Sequence, residues 1–289
     1  MKYLGETIDF RTPVGEPALS DPNSVAWRLF KNPVTLFIGG VAAVILELAE
    51  PRVRTGVWDQ STFRRNPVAR MRRTGLAAMV TVYGPQSQSK RMIGKVARMH
   101  DRVTGVTPCG TPFRANDEEL LTWVQATASF GFLEAYCAYA EALPFSEKNR
   151  FYDEQTKAAP LYGATRAPRS EKARQDLFSD MQSMLEPSDI LLEFLSIVRN
   201  APALPQPLTR LQRPLVRAAV DLLGPELRVR LGLGPMWSPR KYEGAAIRAA
   251  ARLAERTPIP GAPPAQACQR LGLPWSWLYS SEAQPRFAA

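Results

Sequence analysis

The stretch PVTLFIGGVAAVILELA, residues 33–49, decides the architecture. Its apolar residues fall on nearly every face of a helix, so the helix it forms is buried rather than amphipathic. The uncharged run from Asn32 to Leu46 ends at Glu47 and is too short to cross a bilayer. Pro51 stops the helix. Helical periodicity dominates the rest of the chain and hairpin patterns are nearly absent, so the reading is an all-α protein.

Working outward, residues 1–20, with Pro13 and Pro17, read as an extended N-terminal arm. Asp21-Pro22-Asn23-Ser24 caps a helix carrying Val25, Trp27 and Leu29. After Pro51, a loop with Gly56 and Asp59 leads to Asn66-Pro67, a cap followed by proline at the first helical position. That helix runs to about Tyr83, Gly84-Pro85 breaks it, and another spans about Gln86 to Val103 before Gly105. The segment Val106 to Ala115 reads as a loop or short hairpin. Asn116 or Asp117 caps a long apolar helix to about Leu143, and Ser146 opens a shorter one. Residues 159–169 form a linker before helices at about 170–186 and 188–199. Residues 21–200 thus make one helical core, and the proline-rich stretch 202–207 is the candidate hinge. Residues 207–289 are expected to pack on the core as two or three basic amphipathic helices and a proline-rich tail from Thr257.

The 289 residues are 45% hydrophobic and 22% charged, which supports a real core. Cys109, Cys137 and Cys268 are far apart and odd in number, so they suggest neither a zinc site nor a disulfide framework. No Cys-x-x-Cys-His is present, which excludes covalent c-type haem. MKYLGETIDF has no basic region followed by an apolar one, so no secretory signal is read and a cytoplasmic location is expected. The net charge of +10 is mostly arginine and is uneven. A solvated basic face is its ordinary meaning; an anionic partner is the other.

His100 is the chain's one histidine. With Ile93, Val96 and Val103 it forms a stripe at spacings of three and four, on the inward face of its helix. Neutral imidazole is the usual proximal ligand of haem iron, although a lone inward histidine is more often a hydrogen-bonded core residue. On the preceding helix Arg70 and Thr74 are four apart, with Arg73 beside them. A guanidinium and a hydroxyl on one inward face suit an oxygen species, a propionate or a carboxylate. The ordinary alternative is an arginine reaching out from a helix end, with Thr74 bonding the carbonyl one turn back.

From Gly39-Gly40 through Leu48-Ala49-Glu50-Pro51, Gly56-Val57-Trp58-Asp59 and Phe63-Arg64, the chain resembles the opening of the MpaB and latex-clearing-protein family core. Pro67, Arg70-Met71-Arg72-Arg73-Thr74, His100-Asp101-Arg102-Val103-Thr104-Gly105 and Thr111-Pro112-Phe113 follow in order. Asn116-Asp117-Glu118-Glu119-Leu120-Leu121-Thr122-Trp123-Val124 completes a resemblance over about residues 25–190, and Leu231-Gly232-Leu233 is similar too. The resemblance implies a globin-like helical core holding one haem b. His100 would be the iron ligand, Arg70 and Thr74 the polar pair near the haem, Arg73 a basic distal residue, and Glu50 a pocket carboxylate able to act as base. A helix-end acid is the equal alternative for Glu50. Relatives often carry histidine where this chain has Gln125, and histidine before proline where it has Glu50. His100 is left as the sole imidazole.

The implied function is a haem b-dependent oxygenase, with dioxygen taken up at His100-ligated iron. The expected substrate is an apolar, unsaturated or isoprenoid-like small molecule, with Phe30, Phe37, Met79, Phe130 and Phe132 as pocket candidates. Two alternatives remain open. One is a haem protein with a sensor, isomerase or dehydratase role. The other is a basic helical protein acting through Arg210, Arg213, Arg217 and Arg248, Arg252, Arg256. No nucleic-acid motif accompanies those arginines, so nucleic acid is not the expected partner; peripheral contact with the inner face of a membrane is compatible with the oxygenase reading.

Overall fold

A computed structural model of the protein describes residues 2–3, 6–60, 62–204 and 208–280. The chain is all-α, and the strands among the described residues are two short antiparallel pairs. At the centre, α2 (Pro33–Ala49) packs along α6 (Glu118–Tyr139). Their closest approach is backbone on backbone: a Cβ on Gly39 would lie 2.6 Å from the Gly131 carbonyl oxygen. Only glycine at both positions permits that crossing. Asn32 caps α2, its side chain accepting from the Val34 and Thr35 amides, and Pro33 holds the first helical position.

Helices surround this pair. α9 (Asp189–Asn200), α10 (Gln212–Asp221) and α12 (Glu243–Arg256) cover α2 on one side. Leu46, Trp123, Leu191, Leu195, Leu215 and Ile247 meet there in one core. On the other side α1 (Val25–Phe30) packs on α4 (Pro67–Tyr83) and α7 (Phe145–Glu154). Trp27 Nε1 donates to the Val82 carbonyl at 3.0 Å and the Tyr83 hydroxyl donates to the Trp27 carbonyl at 2.7 Å. Burying both large rings without orphaning their polar atoms makes α1–α4 a firm joint. α5 (Gln86–His100) follows α4 and packs against it.

Several expectations need correction. The segment after Pro51 is a helix, α3 (Pro51–Gln60), bent by 109° from α2, and not a loop. Pro51 ends one helix and begins the next, because Glu50 Oε2 accepts from the Val53 amide at 2.7 Å and so caps the new start. Strands Thr104–Val106 and Pro112–Arg114 form the hairpin. The long α6 ends at Tyr139, short of Leu143. The tail after Thr257 folds into α13 (Pro263–Arg270), with prolines in its first turn, where the missing N–H costs nothing. In the N-terminal arm, Lys2–Tyr3 pairs with Glu6–Thr7. Residues 205–207 of the candidate hinge and 281–289 of the tail lie outside the described residues. No single helix among the described residues is long and apolar enough to cross a membrane.

Candidate active site

Within the otherwise buried α2, one face is incompletely covered: Leu36, Phe37, Gly40, Val44 and Glu47. At 3.6 residues per turn these five fall within an arc of about 100°. α4 carries a matching stripe of Arg70, Thr74, Ala77 and Thr81, and α5 carries Val96 and His100. The positive charge of Arg70 acts on Glu47 of α2 and on His100 of α5. Phe132 of α6 stands beside Gly40, 3.9 Å from where a Cβ would be, and its ring lies 4.7 Å from that of Phe30. The result is a seam of half-buried side chains with Thr74 exposed at its edge, apolar along α2 and polar on α4 and α5.

His100 is half-buried at the end of α5, within reach of the Arg70 charge. Burial lowers its pKa, and the Arg70 charge lowers it further against a smaller opposing effect of Asp101. The ring is therefore neutral at pH 7 and keeps a lone pair. Its Nδ1 is buried and has no hydrogen-bond partner among the described residues. A core histidine held by a hydrogen bond would not look like this, because an unmet buried nitrogen costs about 1–3 kcal/mol. A neutral imidazole would serve as the one protein ligand of a metal whose other ligands come from a macrocycle. A bare ion does not fit: among the described residues no three His, Cys, Asp or Glu side chains are grouped to hold one.

Arg70 and Thr74 are joined as their spacing predicted. The guanidinium donates to Thr74 Oγ1, and that hydroxyl donates to the Arg70 carbonyl at 3.0 Å. The hydroxyl is thus tied one turn back, as in the ordinary reading, and still meets the guanidinium. Burial lowers the Arg70 pKa, and the neighbouring Arg73 charge adds to the effect. Arg73 also borders a recess of about 430 Å³ along Asn66, Val68, Ala69, Arg72 and Leu76.

Glu50 is placed differently. It is buried, pairs with Arg52 Nε at 2.6 Å and caps α3. Both oxygens are engaged in holding the α2–α3 bend. The carboxylate in the seam is Glu47. Burial pushes its pKa up to about 7, with Arg70 pulling the other way. Glu47 is half-buried, so some solvent contact remains beside the burial that raises its pKa.

Sequence reasoning passed over Glu47, although a lone charge on the inner face of a core helix is a site signal. It also missed two tyrosines. Tyr162 meets Thr81 Oγ1 at 2.8 Å, and its pKa is raised to about 12 by burial. Tyr3 is buried beside Arg70 and Arg73. Of the aromatic pocket candidates, Phe37 and Phe132 lie on the seam, whereas Phe130 stacks on Phe178. Gln125, half-buried, donates to Ser129 Oγ at 3.5 Å.

The profile of the family described as "ER-bound oxygenase mpaB/B'/Rubber oxygenase, catalytic domain" matches residues 27–256. No curated protein and no solved structure matches the chain. The matched span takes in every helix that builds the seam and runs on to the end of α12. The chain therefore belongs to the mpaB and rubber oxygenase family and carries its oxygenase catalytic domain.

Proposed function

We propose that this oxygenase is haem b-dependent, that His100 would hold the haem iron, and that the substrate is an apolar, unsaturated or isoprenoid-like small molecule. The observation that carries the reading is the chain's only imidazole, neutral and with a buried unpartnered nitrogen, in a seam that also holds a cation. Haem b, when bound, supplies the redox-active iron and hence the activation of dioxygen that side chains of these types do not provide.

The chain's own residues supply the rest. His100 lends a lone pair and is kept neutral by burial and by Arg70. Arg70, with Thr74 as its bonded neighbour, presents N–H donors where an oxygen atom gains negative charge. Glu47, with a pKa of about 7, holds a proton or releases it near neutrality, as a general acid or base must. Phe37, Val44 and Phe132 keep water from the seam and offer an apolar substrate its contacts. Glu50 serves through the bend that presents Glu47.

The test is an absorption spectrum of the full chain purified with haem supplied. A Soret band that is lost or strongly displaced in His100→Ala is expected. Absence of the band, or an identical band in the variant, overturns the assignment. Oxygen consumption with a double-bond-containing substrate then separates oxygenation from other haem chemistry.

A second reading concerns location and coexists with the first. Of the two arginine triplets, Arg217 is buried and bonded to Glu243, so the first is not an exposed stripe. The second is intact. Arg248, Arg252 and Arg256 lie exposed on the outer face of α12 with Ala245, Ala249 and Leu253. Both acids of that helix turn inward, Glu243 to Arg217 and Glu255 to Lys31. An outer face with three cations, small apolar residues and no acid complements an anionic lipid surface.

A further inference from the structure

The family match starts at residue 27 and stops at residue 256, yet the chain beyond both ends is joined to itself. The Gly15 amide donates to the Arg270 carbonyl at 2.7 Å. Arg270 Nε donates to the Glu16 carbonyl at 2.8 Å, and its Nη1 donates to the Phe10 carbonyl at 2.6 Å. Arg270 is 1% exposed, and burying a guanidinium so completely is costly unless carbonyls receive it. A flexible N-terminal arm has no such need of a buried cation. The arm is fixed further by Ile8, Phe10 and Leu19 in the core and by hydrogen bonds to the start of α5. Glu16 accepts from the Ser87 amide and hydroxyl, and the Thr7 carbonyl accepts from Gln88 Nε2 at 3.2 Å.

What this anchoring delivers is Tyr3. A hairpin with two residues in each strand does not hold itself in water, so its position comes from the strap behind it. The hairpin lies on α4 and Tyr3 is 8% exposed. The positive charges of Arg70 and Arg73 act on its hydroxyl, and Tyr3 in turn acts on Tyr162 across the polar end of the seam. The ring thus stands among the site groups although it belongs to no part of the family domain.

We propose that the described residues on either side of the family domain, among them Tyr3, residues 7–19 and α13, form a cap on the seam. In it Arg270 is the latch, and Tyr3 is the gating and specificity-determining residue that closes the polar end beside Arg70 and Arg73. This rests on the seam being the active site. Selection follows from the closure: a molecule that enters must pass or displace a phenol ring backed by two arginines.

His100 is the chain's only histidine, which makes it a reporter for access to the seam. The full, haem-free chain is treated with diethyl pyrocarbonate, and carbethoxylation of His100 is followed by peptide mass spectrometry. Tyr3→Ala and Arg270→Gln are expected to speed it about tenfold, the size of a local opening eased by about 1.4 kcal/mol. Tyr3→Phe, which keeps the ring, is expected to restore the wild-type rate. Amide exchange in residues 191–198 and 215–220 is measured alongside and should not change. If Arg270→Gln fails to fold, deletion of residues 2–7 carries the same test. An unchanged His100 rate in Tyr3→Ala overturns the proposal, and so does exchange rising equally throughout the chain. Because haem is absent, a failed haem assignment leaves this result readable.

Discussion

Glu47→Gln offers the most direct measure of the electrostatics inside the seam. The carboxyl titrates near 7 in the folded chain against an ordinary value of 4.5, with burial as the larger cause and Arg70 opposing it. A raised acid pKa means that the folded state holds the proton more tightly than the unfolded chain does. Its favourable effect is complete below about pH 4.5 and is lost as pH rises toward 7. Above that, ionised Glu47 costs the fold about 3 kcal/mol, an upper figure because the residue retains some solvent contact. Glutamine preserves the shape and removes the ionisation. Urea unfolding of the haem-free chain and the variant, at steps from pH 4.5 to pH 8, isolates the effect as a difference. The variant should gain about 2–3 kcal/mol relative to wild type between the two ends of that range. A constant offset would report only the buried amide. A difference that stays flat, or that is largest at the acid end, refutes the placement of Glu47 in a desolvated seam.

Other consequences follow from separate parts of the structure. Gly131→Ala should destabilise the chain by about 3 kcal/mol in denaturant unfolding, because its methyl group meets the α2 backbone at the Gly39 crossing. Gly40→Ala, whose Cβ finds nothing nearer than 3.9 Å, should stay within about 1 kcal/mol of wild type and serves as the control. Co-sedimentation with vesicles containing one-third phosphatidylserine should weaken about a hundredfold when Arg248, Arg252 and Arg256 are all replaced by glutamine, at about 1 kcal/mol per charge. Binding that ignores lipid charge, or that favours RNA over the vesicles, defeats the membrane reading.

The sequence alone determined the helical class and the position of the central helix. A seventeen-residue segment apolar on nearly every face has no stable place except inside other helices. It also marked His100, Arg70 and Thr74, because helical spacing is a local property and three- and four-residue intervals survive in any packing. Helix starts at Ser24 and Asn66 were legible for the same reason, each being a side chain bonded to the amide three residues ahead.

Tertiary structure decided which carboxylate belongs to the site. Glu47 and Glu50 are three residues apart, and nothing local tells them apart. The sharp turn into α3 engages Glu50 with Arg52 and the Val53 amide, and the packing of α2 leaves Glu47 facing Arg70. The same holds for Arg217, which counts as surface charge in the sequence and is a buried partner of Glu243 in the fold. Tyr3 lies 67 positions from Arg70 along the chain and 267 from the Arg270 that latches its arm. Contacts at that separation depend on how helices stack, which no local pattern encodes, so the cap became visible only in three dimensions.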